Sequence, residues 1–123
     1  MLKIYVFIVI AISLLSSNAL SFDPWSKQDV GLEVGYQLIH LIDWGQTRQI
    51  ARQPDKYYEI NPILGRHPET SKVNAYMALS GLAHIAITHV LPQEYRPLFQ
   101  GITILIAGGV VAHNMSIGLS VAW

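Results

Sequence analysis

Hydrophobic and polar positions alternate along this chain in blocks, and the blocks predict an all-α protein with short polar connections. From Val30 to Ile50, Glu33, Gln37, His40, Trp44 and Thr47 follow one another at steps of three or four, with Asp43 beside them, so a helix gathers them on one stripe. From Val73 to Leu91, and again from Ile102 to Trp123, the chain carries no formal charge. The first of these runs is entered through His67-Pro68-Glu69-Thr70-Ser71, with Thr70 or Ser71 as cap, and closed by Leu91-Pro92. The short connection from Pro92 to Pro97 predicts that the last two helices form an antiparallel hairpin. The expected helices lie near 30–51, 72–91 and 98–121 of a single domain, 20–123.

Ahead of them, Lys3 precedes an apolar run from Ile4 to Leu15 that ends in Ser16-Ser17-Asn18-Ala19. About twenty apolar residues are needed to cross a hydrocarbon core, and this run is shorter. Ser17 and Ala19 fit the small-x-small form of a signal peptidase site, so residues 1–19 read as a cleaved signal peptide. An uncleaved N-terminal anchor is the alternative.

Composition strengthens the membrane reading. Hydrophobic residues make up 51% of the 123 and charged residues 13%, against roughly 25% charged in ordinary soluble domains. The formal net charge is zero, so the basic surplus that marks nucleic-acid binding is absent. No cysteine occurs, which leaves only His, Asp, Glu and Asn as metal ligands.

The Val30 to Ile50 segment is the ambiguous one. Its eight aliphatics give roughly −2 to −5 kcal/mol on the insertion scale, while one central Asp costs about +2.5 to +3.5. It is either a third span assisted by the hairpin or an amphipathic helix on the surface. Arg48, Arg52, Lys56, Arg66 and Lys72 surround the connection that follows it, and the positive-inside bias places that connection, 52–72, in the cytoplasm. A chain that starts outside then crosses three times, in the inner membrane of a bacterium. The connection holds Pro54, Pro62 and Pro68, and Tyr57 to Gly65 is expected to form an ordered turn.

Candidate chemistry is sparse. Asp43, His84 and His113 are intramembrane polar residues that could converge as three ligands of a divalent metal ion, with Asp43 facing one of the two histidines. Glu59, beside Asn61, is a candidate catalytic acid or base, although pairing with a nearby Arg and a turn at Asn61 explain the two residues more simply. Gly31 with Gly35, and Gly108 with Ala112 and Ser116, form small-residue seams that let a helix approach closely. No nucleophile elbow, P-loop, dinucleotide fingerprint or His-Glu-x-x-His pattern is present.

Taken together, Asp43-Trp44-Gly45-Gln46-Thr47, Glu59-Ile60-Asn61-Pro62-Ile63-Leu64-Gly65 with His67-Pro68, and the His84 to Pro92 stretch resemble a family of small uncharacterised membrane proteins of bacteria and their phages. The likeness covers most of the chain after the leader and implies no activity. Three functions compete: a non-enzymatic membrane protein acting by helix association, as an accessory subunit or phage-encoded effector, in homo- or hetero-oligomers; a metal-dependent intramembrane hydrolase; and a holin-like lysis protein.

Overall fold

The computed structural model describes residues 21–123, so the expected signal peptide lies outside the described residues. They form three helices and no strand: α1 (Lys27–Arg52), α2 (Thr70–Val90) and α3 (Arg96–Ser116). At 1.5 Å per residue α1 is about 39 Å long, and the other two, about 31 Å, are close to the roughly 30 Å of a hydrocarbon core. By length and composition, α3 alone among the described helices is apolar enough to cross a membrane.

α1 begins three residues before the expected boundary because Ser26 and Asp29 form a capping box. The Ser26 hydroxyl accepts from Asp29 N at 3.0 Å, and Asp29 Oδ2 accepts from Ser26 N at 2.9 Å. α3 ends five residues early, and the reason is Gly118. It adopts φ +91°, and Leu119 N returns to Asn114 O at 2.9 Å, the bond of a Schellman stop. The chain then folds back along α1. Ala122 N donates to Gly45 O at 3.1 Å, Arg48 Nε donates to Ala122 O at 3.0 Å, and Ser120 N reaches Gln49 Oε1 at 2.6 Å. Gly45 permits this approach, since a Cβ there would collide with Val121.

α2 and α3 follow one another through a short turn and meet through a few side chains, while α1 packs extensively against both. The polar stripe of α1 is therefore the centre of the bundle.

Burial follows two different rules along the molecule. Where the 53–69 connection and the tail cover the end of α1, the interior is apolar: Ile50, Tyr57 and Leu119 form one cluster, and Leu64, Val73 and Met77 another, flanked by Trp44 and Tyr76. Along the helices the pattern inverts. Asp29, Glu33, His40, His84, Thr88, Arg96, Gln100 and Thr103 are buried, while Val34, Leu38, Leu79, Leu82, Leu98 and Leu105 are exposed, the last at 77%.

Candidate functional site

The stripes meet because each helix carries polar residues one turn apart: Asp29, Glu33, Gln37 and His40 on α1, Ser80, His84 and Thr88 on α2, Arg96, Gln100 and Thr103 on α3. His84 is the junction. Its Nδ1 faces both Glu33 oxygens, at 2.8 and 3.0 Å, and its Nε2 lies 2.7 Å from Thr103 Oγ1. The ring is sandwiched between Tyr36, with centroids 3.5 Å apart and planes within 7°, and Phe99 at 4.8 Å. Tyr36 also stacks on His40, whose Nε2 bonds Met77 O at 2.8 Å.

Glu33 accepts from Gln37, Thr88 and Gln100 in addition to His84. Its two oxygens are thereby engaged from all three helices. One turn away Arg96, fully buried, spends its guanidinium on Asp29 Oδ2 at 3.2 Å and on five carbonyls: Thr88 and Leu91 through Nε, Pro24 through Nη1, Asp23 and His89 through Nη2. It thereby satisfies the C-terminal carbonyls of α2 and ties the 21–26 segment to them. Gly81 keeps this contact close, since an added Cβ would lie 3.1 Å from Gln37 Oε1 and 3.3 Å from His40 Cδ2.

The second polar group surrounds Asp43. Its Oδ1 is 3.4 Å from Thr47 Oγ1 and 3.5 Å from Asn114 Nδ2, and Asn114 donates to Gln46 at 3.0 Å. Asn74 Oδ1 holds Trp44 Nε1 at 2.8 Å and Arg48 Nη1 at 2.7 Å. In the connection, Glu59 Oε1 accepts from Ile60 N and Asn61 N, both at 2.9 Å, Asn61 Oδ1 accepts from Ile63 N, and Gly65 turns the chain at φ +82°. Burial holds the Glu59 carboxyl above its ordinary value, against the lowering effect of those two N–H groups. No salt bridge joins Glu59 to an arginine among the described residues. Asp23, partly exposed at the opposite end, has its carboxyl held below the ordinary value by the N–H of Gln93 and the Ser21 hydroxyl.

The expected trio of Asp43, His84 and His113 is not assembled. Both nitrogens of His84 are engaged by Glu33 and Thr103, so neither is free for a metal. His113 is exposed, because the inward position on that turn of α3 belongs to Asn114, and Asp43 meets Asn114 rather than a histidine. No group of three metal-binding side chains gathers among the described residues. The seams also differ from expectation as packing surfaces within the chain. Nothing lies within 4 Å of a Cβ placed at Gly31 or Gly108, Ala112 and Ser116 are exposed, and Gly35 alone touches a neighbour, Ile104, at 4.0 Å.

Arg96, Gln100, Thr103 and Asp29 are the residues that reading the sequence overlooked. On α3 the i, i+4, i+7 spacing was legible, but an expected helix starting near 98 leaves out Arg96 and puts Gln100 in its first turn, ahead of the apolar run at Ile102. No family model matches this sequence, and no curated protein and no solved structure is significantly similar to it.

Proposed function

We propose that this chain is a small integral membrane protein that crosses the bilayer three times and acts by helix association, as an accessory subunit or effector, rather than by turning over a substrate. The inverted burial carries the reading. In water the exposed Val34, Leu38, Leu79, Leu82, Leu98 and Leu105 would stand unburied on all three helices, whereas lipid accepts such faces and favours polar stripes turned inward. The apolar-inside rule returns only around the 53–69 connection, where Arg52, Lys56, Arg66 and Lys72 fit the cytoplasmic side. Gly31, Gly108, Ala112 and Ser116 present small side chains outward, which favours close approach of a partner helix. The resemblance to small membrane proteins of bacteria and phages adds the inner membrane as the compartment.

Two experiments test this. Sodium carbonate at high pH should leave the expressed chain in the membrane pellet, and release into the supernatant would sink the three-span reading. Single-cysteine crosslinking in native membranes at positions 108 and 112 should trap a larger species, and monomer alone at both positions would remove association as the mode of action.

A further inference from the structure

Within the 53–69 connection Leu64 turns inward, at 2% exposure, while its apolar neighbours turn out: Ile60 is 75% exposed, Tyr58 56% and Ile63 51%. The turn itself holds them there. Glu59 N donates to Arg66 O at 2.8 Å and Gly65 N to Asn61 O at 3.1 Å, while the Glu59 and Asn61 side chains accept from Ile60 N, Asn61 N and Ile63 N. Neither isoleucine can reach the interior without breaking bonds of that frame. A single exposed aliphatic is ordinary on a surface, but these side chains on one internally bonded turn make an apolar tip.

Leu64 also fixes the depth of the tip. Its cluster contains Met77, seven residues into α2 from Thr70, and Trp44, eight residues before the end of α1 at Arg52, packs against that cluster. At 1.5 Å per residue the turn is therefore set back roughly 10–12 Å along both helices, beside their ends instead of beyond them. The headgroup region adds only about 5–8 Å on each side of a hydrocarbon core, so a turn placed there stands at headgroup depth around a spanning bundle. The charges agree. Arg66 lies over the Tyr58 ring at 4.7 Å and Lys56 over the Tyr57 ring at 5.3 Å, and Arg52 and Lys72 flank the turn at the two helix ends, all four exposed. Between 52 and 72 only Asp55 and Glu69 oppose them as exposed acids, since Glu59 is turned to its own backbone.

We propose that the 58–66 turn anchors the chain to the leaflet it faces, the cytoplasmic one in the orientation given above: Tyr58, Ile60 and Ile63 enter the boundary between headgroups and acyl chains, and Lys56 and Arg66 meet the phosphates of anionic lipids. The inference rests on the three-span reading and adds to the spans a separate contact with the bilayer surface.

Single cysteines introduced as Ile60→Cys, Ile63→Cys, Asp55→Cys and Leu105→Cys can each carry the fluorophore NBD, since the chain has no cysteine of its own. The labelled chains are reconstituted into vesicles of phosphatidylglycerol and phosphatidylcholine, with and without bromine on the acyl chains, which quenches a probe only at lipid depth. Position 105, on the exposed outer face of α3, reports the span, and position 55 reports the polar side of the same connection. Probes at 60 and 63 are expected to lose fluorescence to bromine and to emit to the blue of the probe at 55. Lys56→Glu with Arg66→Glu, both at exposed positions, should reduce that loss. Quenching at 105 but not at 60 and 63 would overturn the anchor while leaving the spans standing, and the tip would then be free for a protein partner. A loss at 55 as large as at 60, or a loss at 60 that the charge reversals leave unchanged, would overturn it as well. No quenching at 105 would instead remove the three-span reading on which the anchor rests.

Discussion

Arg96 shows how much one side chain can organise when water is excluded. It joins the C-terminal carbonyls of α2, the 21–26 segment and Asp29, and its removal leaves a buried carboxylate without a partner. Breaking such a pair costs about 3–5 kcal/mol. Arg96→Met is therefore expected to lower the unfolding midpoint sharply in a detergent melt, and Arg96→Lys should recover part of the loss, since three donors replace five. At Gly81 the limit is steric. Gly81→Ala is expected to cost about 1–3 kcal/mol, because Gln37 and His40 must shift, while Gly31→Ala should be neutral or slightly stabilising in the same assay, having open space and better helix propensity. Glu59 adds a pH signature. Its folded carboxyl binds a proton more readily than in the unfolded chain, so the folded state is favoured below the ordinary carboxylate range of pKa and loses that advantage as pH rises through the folded value. Glu59→Gln, which still accepts the two N–H groups, should raise the midpoint at pH 8 and change it little at pH 4. A change of equal size at both would show that ionisation of Glu59 has no part in it.

At the level of elements, the boundary of α3 is set by Gly118 rather than by hydrophobicity. A residue with a Cβ is strained at φ +91°, and the backward course of the tail depends on that turn. Gly118→Val should cost about 1–2 kcal/mol of stability and loosen the contact of Trp123 with Trp44 and Arg48. Tryptophan fluorescence reads it: a red shift is expected, and an unchanged spectrum would mean that the tail docks without the glycine turn. The central position of α1 has a similar origin. It carries the longest polar stripe, and both other helices need those partners more than they need each other.

For the whole molecule the physical question is which solvent meets which surface. On the three-span reading proposed above, the apolar outer faces of the helices would meet lipid and the apolar clusters under the 53–69 connection would belong to a water-facing cap. Cysteine labelling tests the orientation proposed for that cap, since the chain has no native cysteine. A membrane-impermeant reagent applied to intact cells should modify Glu94→Cys and spare Lys56→Cys. Labelling at position 56 from outside would invert the orientation or reduce the number of spans.

Much of this was legible in the sequence for a local reason. Helix existence and the ordered turn at Asn61 depend on spacing, proline and side-chain type within a few residues, so local pattern determined them; the same spacing gathered the polar residues of α1 on one stripe without deciding whether protein or water meets it. Partner choice does not depend on local pattern. Asp43 and Glu33 stand on the same stripe, and only the way α2 and α3 pack against α1 decides that His84 of α2 meets Glu33 while Asn114 of α3 meets Asp43. The same applies to His113, since one residue along a helix changes the direction of a side chain by about 100°, enough to exchange a buried ligand for an exposed one. Which polar residues meet is fixed by how three stripes come into register, and that register exists only in the assembled bundle.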